Sequence, residues 1–467
     1  MVQKKLEAAV LPYNSISIFS KKHMAIKFSE RILLKFLATI ILLYLSSYVQ
    51  AQPGTKELKL DEAIRAAVEN NKNVSLSQMD EKIALANYKQ TEAVFLPQVA
   101  LSYTGMVTNN PLNAFGAKLQ ERKISQNDFD PQLLNHPSGT SDFMTRMDLQ
   151  QPIFNMDKLY QRKSALKQSE LYQFKTQRTK EFITYQVQQA YMQLQLAYEA
   201  KKVLDDGLQT VNAIYKFTND RYSQGLLQKS DVLNVEVEVK SAESNIADAA
   251  SNIKNASDYL SLLMNVPAGT VYQTEANNLS FSNAVSTDSL PENRADFKAM
   301  EVAIKSYDLM IKSSKMSYLP RLNAFASYQL NDSKVLGFGA NAYLAGLQLT
   351  WDIFKGNQTK NKISTQVLER NKMEEELAKQ KDESNLELQK TVRQLDDAKF
   401  KIKQQKSAVD LADEALRILQ NRYQQGLVNT TDVLTAETQL SKQKLMYQQA
   451  VYAANVTAAY LQFLTIK

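Results

Sequence analysis

One stretch of the chain occurs twice, and the distances around its two copies are nearly equal. The copies read RYSQGLLQKSDVL from Arg221 to Leu233 and RYQQGLVNTTDVL from Arg422 to Leu434, and eight of the 13 positions are identical. In both, a helical pattern runs up to Arg-Tyr and meets a glycine, which can adopt the left-handed conformation that ends a helix. We therefore predict that each copy is the tip of a helical hairpin, although ordinary helix-turn-helix corners would read alike.

A new helix is predicted to begin directly after each tip. Ser230 and the Thr430-Thr431 pair are suitable N-cap residues. Asp231 and Asp432 then fall in the first turn, where the helix dipole favours an anion. The predicted return helices are about 231–264 and 432–466.

A long helix is predicted to lead up to each tip. Phe154 and Gly225 lie 71 residues apart, and Phe354 and Gly426 lie 72 apart. A single helix of this length is about 105 Å long and has no compact core of its own. It must pack along other long helices through an apolar stripe that repeats every 3.5 residues. The predicted helices are about 154–224 and 354–425.

Four segments of about ten residues alternate with a period of two, which predicts β-strands. The first two are separated by residues 107–142, where Asn, Pro, Gly and Asp recur without a period, so this segment is predicted to be a loop. The predicted strands are about 98–106, 143–153, 321–330 and 343–353.

The composition of these strands favours a membrane location. One side carries Leu, Val, Tyr, Met or Ile, and the other carries Ser, Thr, Gln, Asp or Arg. A tilted strand of about ten residues crosses a bilayer. Large aromatic residues gather where strands meet helices, as in an interfacial belt. The predicted belt residues are Phe95, Phe154, Tyr318, Trp351 and Phe354. A soluble sheet over a helical core is the alternative.

Four strands are too few to close a barrel, since the smallest closed barrels use eight. An open sheet in lipid would leave unpaired backbone groups at its edges, each costing several kcal/mol. We therefore predict that copies of the chain share one barrel. Two, three or four copies would supply eight, twelve or sixteen strands, and the strand pattern does not choose among them.

Residues 1–51 are predicted to be a secretory signal peptide that is cleaved after Ala51. Basic residues precede the apolar run Phe36–Leu45, and Val49-Gln50-Ala51 supplies small or neutral residues at the cleavage site. Met24 is the more natural start. An uncleaved membrane anchor is the alternative, but an apolar run of about ten residues is too short to span a bilayer.

The charge of the chain lies mostly in this leader. The leader holds seven Lys or Arg and two Asp or Glu, which leaves the mature chain +2 of the total +7. Nothing in this balance indicates nucleic acid as a partner. The chain contains no Cys, so disulfides, thiol chemistry and a lipid-modified cysteine are excluded.

No enzyme site is predicted. The only histidines are His23, in the leader, and His136, in the loop 107–142, where a lone histidine is usually a solvated side chain. The sequence shows no phosphate-binding Gly loop, metal-ligand spacing or nucleophile elbow. We therefore predict no catalytic residue, cofactor or metal.

The layout as a whole is a tandem repeat. The predicted repeats are 52–264 and 292–467, joined by an irregular linker or lateral subdomain at 265–291. The repeats differ mainly in the hairpin, because Pro97 and Phe154 lie 57 residues apart but Pro320 and Phe354 only 34. The loop at that end is therefore predicted to face open solvent.

From about Leu58 to Ile466 the ordered motifs resemble the TolC-type outer membrane efflux family. They are the opening LDEAIRAAVENN, the Leu-Pro pair before two strands, the Gln-Pro-Ile-Phe and Trp-Asp-Ile-Phe strand ends, and the two tips. The resemblance implies a mainly helical homotrimer. Three copies would share a 12-stranded β-barrel in the outer membrane of a Gram-negative bacterium, which continues as a helical barrel through the periplasm.

The resemblance also implies a function. The protein would be the passive exit duct of a tripartite efflux or type I secretion system, exporting small molecules or proteins. Its partners would be a periplasmic adaptor, an inner membrane pump and outer membrane lipid. The alternative is a periplasmic coiled-coil tether without a pore. The substrate class stays open.

Individual residues are carried over at the two tips. Those that match the adaptor-docking positions are Gly225, Leu226, Gly426 and Leu427. Those that match the periplasmic gate are Asp231, Arg422, Tyr423 and Asp432. The sequence departs from the family pattern at Thr435, where a second acidic ring is expected, and at Val428, where a gating Arg is expected. A double acidic ring with an Arg-linked lock is therefore not expected here.

Overall fold

The structure is a computed structural model that describes residues 55–275 and 289–466. The chain divides into Met1–Thr55 and Lys56–Lys467, and the fold described below belongs to the second unit. The predicted leader at 1–51 and residues 276–288 of the predicted linker lie outside the described residues.

The first half of the chain alternates short strands with helices and ends in a long helical hairpin. Its elements are β1 Lys56–Leu58, α1 Leu60–Asn70, α2 Lys72–Gln90, β2 Gln98–Thr108, α3 Pro111–Gln120, α4 Pro131–Asn135, β3 Thr140–Phe154, α5 Met156–Ser223, α6 Lys229–Met264 and β4 Tyr272–Thr274.

The second half repeats the order of helix, two strands and long hairpin. Its elements are α7 Ala295–Met316, β5 Arg321–Asp332, β6 Ala340–Thr350, α8 Gln358–Gln424 and α9 Thr430–Thr465. The predicted fold class, mainly helical with four longer strands in a tandem repeat, is confirmed for the single chain.

The four longer strands form one antiparallel sheet in the order β2-β3-β5-β6. A cross-strand row made of Leu101, Met147, Tyr328 and Tyr343 runs over one face. The adjacent row, on the other face, contains Ser102, Arg146, Gln329 and Ala342. Because side chains alternate between faces, the sheet has one apolar face and one more polar face. The ion pair from Arg146 Nε to Asp148 Oδ1, 2.8 Å long, lies on the polar face.

Both edges of this sheet are open. In the part of the chain that the structure describes, β2 pairs only with β3, and β6 pairs only with β5. Most residues of the two edge strands are also exposed, including Leu101 and Tyr343 on the apolar face. An open sheet edge with unpaired backbone groups is a template for another strand.

The long helix α5 buries its apolar stripe at two levels. Helix α5 has 68 residues, which corresponds to about 100 Å. Near its middle, Ile183, Val187 and Leu194 pack with residues of α1 and the end of α6. Near its end, Val211 and Ile214 pack with residues of α6, α8 and α9. The second core lies under the tips.

A two-stranded parallel sheet formed by β1 and β4 was not predicted. Two tyrosines of α5 hold it: Tyr191 Oη donates to Leu58 O at 2.9 Å, and Tyr198 Oη donates to Tyr272 O at 2.8 Å. Each strand has three residues, too few for a visible period.

Two expectations about the strands were wrong. Residues 107–142 are not an irregular loop, because α3, α4 and a 3₁₀ turn at Gln126–Phe129 lie within them. Phe354 does not begin the second long helix, and Trp351 and Ile353 lie outside the last strand, which ends at Thr350. Gly356 and Asn357 have φ of 59° and 63°, a left-handed conformation that a helix cannot contain.

Candidate functional site: the two hairpin tips

The two tips have the same backbone turn. Gly225 and Gly426 adopt left-handed conformations with φ of 74° and 76°. In the first tip, Gly225 N donates to Tyr222 O at 2.8 Å, and Leu226 N donates to Arg221 O at 2.9 Å. The second tip repeats both bonds at 2.9 Å. This is the Schellman motif, which satisfies the last carbonyl groups of a helix and favours glycine.

The helix that follows each tip begins with a capping box. Gln228 N donates to Asp231 Oδ2 at 3.0 Å, and Asn429 N donates to Asp432 Oδ2 at 3.2 Å. The N-caps are therefore Gln228 and Asn429, and the expectation that Ser230 and Thr430-Thr431 are the caps was wrong. Both aspartates do lie in the first turn, where they satisfy a backbone N–H and meet the positive end of the helix dipole.

Leu226 and Leu427 are presented at the outermost turn of each hairpin. Their exposed fractions are 64% and 62%. Each follows the left-handed glycine directly, so the backbone turn holds both leucines in equivalent positions. Two exposed leucines on matching rigid turns form a paired apolar contact surface.

Arg221 ties the first tip to the second. Its Nη2 donates to Gln424 O at 2.8 Å, and its guanidinium lies over the Phe217 ring at 4.8 Å. A Cβ added at Gly426 would lie 3.2 Å from Arg221 Nη1, so glycine also leaves room for this side chain. A charged donor on a helix-terminal carbonyl is a strong hydrogen bond.

A buried hydroxyl chain joins three helices below the tips. Tyr423 Oη lies 2.7 Å from Thr218 Oγ1 and 2.9 Å from Thr430 Oγ1. Thr218 Oγ1 also donates to Ile214 O at 2.8 Å. Because each hydroxyl has one proton, Thr430 donates to Tyr423, and Tyr423 donates to Thr218. The Tyr423 ring packs on Phe217 at 5.0 Å, so α5, α8 and α9 meet at this residue.

The two sequence copies are therefore not equivalent in the fold. Tyr423 is 5% exposed, whereas Tyr222 at the matching position is 38% exposed. Arg221 is half-buried and bonded across the tips, whereas Arg422 is exposed. Of the predicted gate residues, Asp432 and Arg422 lie on the surface and Asp231 is half-buried, while Tyr423 lies in the core.

Sequence reasoning missed the partners that hold Tyr423 and join the tips. These are Phe217, Thr218, Arg221 and Thr430. Arg221 was visible in the repeat, but nothing distinguished it from Arg422. Val428, where an Arg was expected, packs against the apolar core below the tips, and Thr435 is exposed.

The predicted aromatic residues lie at the opposite end of the long helices. Phe95 and Tyr318 precede β2 and β5, Phe154 ends β3, and Trp351 and Phe354 follow β6. Because the sheet is antiparallel, all five lie at the same end of the strands. All are exposed. Trp351 Nε1 donates to Tyr318 O at 2.9 Å, which links the two strand ends of the second repeat.

Among the residues described, no group of three or more His, Cys, Asp or Glu side chains is arranged to hold a metal ion. Within the same residues, every helix is too short or too polar to cross a membrane.

Comparison with known proteins decides the family. The family described as "Outer membrane efflux protein" matches residues 63–266 and 287–465, which is most of the chain. The chain belongs to the outer membrane efflux protein family. A comparison with curated proteins found no match.

Several solved structures share the fold of this chain. VceC of Vibrio cholerae, an outer membrane protein, has a TM-score of 0.68 at 16% identity, over 87% of this chain and 96% of its own. The outer membrane channel CmeC of Campylobacter jejuni has a TM-score of 0.69 at 13% identity, and the match covers 87% of this chain and 85% of CmeC. A membrane protein of Pseudomonas aeruginosa has a TM-score of 0.73 at 16% identity, and the match covers 89% of this chain and 93% of that protein.

Family membership confirms the predicted location and broad function. This outer membrane efflux protein is located in the outer membrane and extends into the periplasm. It serves as an outer membrane exit duct of an efflux system. The paired tips and the sheet lie at opposite ends of the long helices.

One buried carboxyl lies near the tips of this efflux protein. Glu437 on α9 is 4% exposed, and its Oε1 accepts from Ser441 Oγ at 2.8 Å. It faces Gly207 of α5, where an added Cβ would lie 3.1 Å from Glu437 Oε1. Burial raises the pKa of the Glu437 carboxyl above its usual range, and Asp206 and Asp413 raise it further, against the opposing effects of Ser441 and Lys444.

Glu437→Gln is expected to stabilise the hairpins at neutral pH. Below its ordinary pKa of 4.5 the Glu437 carboxyl is protonated in both the folded and the unfolded protein, and it does not affect stability. As the pH rises through the raised pKa of the folded protein, the buried group must ionise, and this lowers the free energy of unfolding. The wild type should therefore lose stability relative to the variant as the pH rises from about 4 to 7. Thermal unfolding at both pH values measures this. Glu238→Gln, at an exposed position of α6, is the control, and an equal slope in all three proteins would contradict the expectation.

Proposed function

We propose that three copies of this chain close one 12-stranded barrel, which opens into a helical duct across the periplasm. The observation that carries this proposal is the four-stranded sheet with one apolar face, one polar face and two open edges. Joining β6 of one copy to β2 of the next pairs every edge, places the apolar face in lipid and directs the polar face at water. The resemblance to the TolC-type family favours three copies over two or four.

Within this assembly the duct is passive. Substrate passes through the bore, and an inner membrane pump supplies the free energy. The chain contributes walls and a gate but no chemistry, so it is not an enzyme. The exposed aromatic residues Phe95, Phe154, Tyr318, Trp351 and Phe354 lie at the periplasmic lipid interface, where amphipathic rings are favoured.

The tips bind a periplasmic adaptor. Gly225-Leu226 and Gly426-Leu427 are the docking residues, and their support is the pair of rigid turns that present two exposed leucines. The two matched leucines form a shallow apolar contact surface. The part of the adaptor that binds there is the apolar tip of another helical hairpin.

The tips also form the gate. Asp231, Asp432 and Arg422 supply charge around the opening, and Tyr423 holds the second hairpin against the first. Opening requires the hairpins to separate, so the Arg221–Gln424 bond and the Tyr423 hydroxyl chain must be released. A double acidic ring is not part of this gate, since Thr435 stands at its position.

Planar-bilayer recording with the purified protein tests the proposal. We expect detergent-resistant oligomers that dissociate on heating, and discrete channels blocked by multivalent cations from the tip side. Asp432→Asn should weaken that block, because a neutral side chain keeps the capping geometry but removes the charge. A soluble, extended dimer without conductance would instead support the tether.

A further inference from the structure

Helix α3 lies against the polar face of the sheet, at the end far from the long helices. Gln120, at the end of α3, lies 3.4 Å from Asn331 of β5, and Asn331 Nδ2 donates to both carboxylate oxygens of Asp142 on β3 at 3.0 and 3.1 Å. Asp142 lies four residues from Arg146, which is on the polar face, and side chains alternate between the two faces of a strand. The side chain of Asp142 therefore points to the polar face. Asp142 and Asn331 are each only 2% exposed, so the segment containing α3 covers them.

The helix is held across the full width of the sheet. The segment leaves β2, yet Arg122 Nη2 donates to Asn341 O of β6 at 2.7 Å. Lys123 Nζ bonds Ser333 Oγ in the turn after β5 at 2.5 Å, and it lies 3.4 Å from Oδ1 of Asp332, the last residue of β5. These contacts reach the opposite edge of the sheet, so α3 lies over the strands and does not project from them.

The segment is also stiffened from within. Lys118 Nζ pairs with Asp128 Oδ1 at 2.8 Å, and Phe115 packs edge-on against Phe129 at 5.7 Å. The bond from Lys118, together with bonds from Ser125, lowers the pKa of the Asp128 carboxyl to about 2. The carboxylate therefore stays ionised, and the pair intact, at any physiological pH.

The two sides of α3 differ in a way that the sheet alone does not explain. Ala114, Ala117 and Glu121 are buried, and the helix packs against β3. Leu112 and Leu119, seven residues apart, lie on the opposite side of the helix, and their exposed fractions are 80% and 59%. Two leucines on one exposed side of a helix form an apolar ridge, which is a feature of contact surfaces.

The size of the proposed barrel identifies the partner of this ridge. Strands spaced about 4.8 Å apart and tilted by about 40° give twelve strands a circumference of about 75 Å and a diameter of about 24 Å. A helix with its side chains is about 10 Å wide, nearly the whole radius. Small residues at Ala114 and Ala117 allow close contact with the wall, so the outer sides of three α3 helices meet near the axis.

We propose that Leu112 and Leu119 of neighbouring copies pack together inside the distal mouth and form an apolar constriction there, separate from the periplasmic tips. This proposal rests on the proposed shared barrel. An apolar narrowing expels water and thereby stops ions. The duct then has two barriers in series, one at the tips and one at the outer mouth.

Cross-linking tests the contact directly. The chain has no cysteine, so Leu119→Cys introduces a single thiol in each copy. Oxidation of detergent-resistant oligomers should then give a disulfide-linked dimer band, since two of the three thiols at the axis pair. The matched control is Val335→Cys in the turn after β5, which is also highly exposed but adjoins Leu336, whose N–H donates to Tyr103 Oη on the apolar face. Intact oligomers without a Leu119 disulfide would overturn the constriction while leaving the shared barrel in place.

Conductance tests the barrier. With the tips opened by Tyr423→Ala, the added pair Leu112→Ser and Leu119→Ser should raise single-channel conductance several-fold, because polar side chains let water fill the narrowing. The pair Val335→Ser and Phe338→Ser, also exposed at the distal end, should leave it unchanged. Equal conductance with and without the two serines of α3 would reject the barrier, whereas absence of any channel in every variant would instead reject the shared barrel.

Discussion

A cysteine pair on the two open edges of the sheet is expected to convert the protein into covalent trimers. Ser102 on β2 and Gln348 on β6 lie on the polar face, so Ser102→Cys and Gln348→Cys place both thiols in the water-filled bore. In the proposed barrel, β6 of one copy lies beside β2 of the next, with strands about 4.8 Å apart. A bis-maleimide of about 8 Å spans this gap even with a register shift of about 7 Å, or two residues. Denaturing gels should show a ladder that ends at three chains.

The single variants separate this result from chance collisions. Ser102→Cys alone and Gln348→Cys alone should remain monomeric after the same treatment. Links within one chain are not expected, because β2 and β6 are separated by three strand spacings, about 14 Å. A ladder ending at two or four chains would change the strand count to eight or sixteen. No ladder at all, in protein that remains folded, would contradict the shared barrel.

Tyr423→Ala is expected to open the tips. Removing a buried aromatic ring costs about 3–5 kcal/mol, and Thr218 and Thr430 lose their hydroxyl partner, which adds about 1 kcal/mol or more. Because Tyr423 joins α5, α8 and α9, the loss falls on the contact that holds the second hairpin against the first. We expect a lower unfolding temperature and a large increase in the open fraction of single channels.

The duplicated motif supplies a matched control. Tyr222→Ala removes the same side chain from the equivalent position of the first tip, where it is largely outside the core, so its effect should stay within about 0.5 kcal/mol. Tyr423→Phe keeps the ring on Phe217 but removes the hydroxyl, and should cost about 1–2 kcal/mol. Equal effects of the two alanine variants would show that Tyr423 does not hold the tips together.

Much of the fold was readable because its signals are local. The long stretches without Pro, in which Gly207 and Gly356 are the only glycines, predict long helices. Gly225 and Gly426 end those helices within two residues of the predicted positions. The strands were readable because one face is apolar and the other polar. The family resemblance rested on the same features in duplicate.

The failures occurred where a local signal was weak or distant contacts prevailed. Helix α3 has ten residues, near the limit for a helix without packing. Gln120 and Arg122 at its end hold it in place through contacts with strands more than 200 residues away in the sequence. The start of α8 was misplaced because Phe354 resembles Phe154, while the left-handed pair Gly356-Asn357 delays the helix to Gln358. The N-caps were missed by one or two residues for the same kind of reason, since several polar residues competed.

The sequence by itself determined the tandem repeat, the two helix lengths, the four two-faced strands and the turn at each tip, because each depends on periodicity or on a glycine within a few residues. Only the tertiary structure decided which tyrosine of the repeat is buried, which arginine crosses between the tips and which face of the sheet α3 covers. These depend on neighbours supplied by other parts of the chain. Identical motifs in the two halves meet different neighbours, so their side chains acquire different burial and different partners.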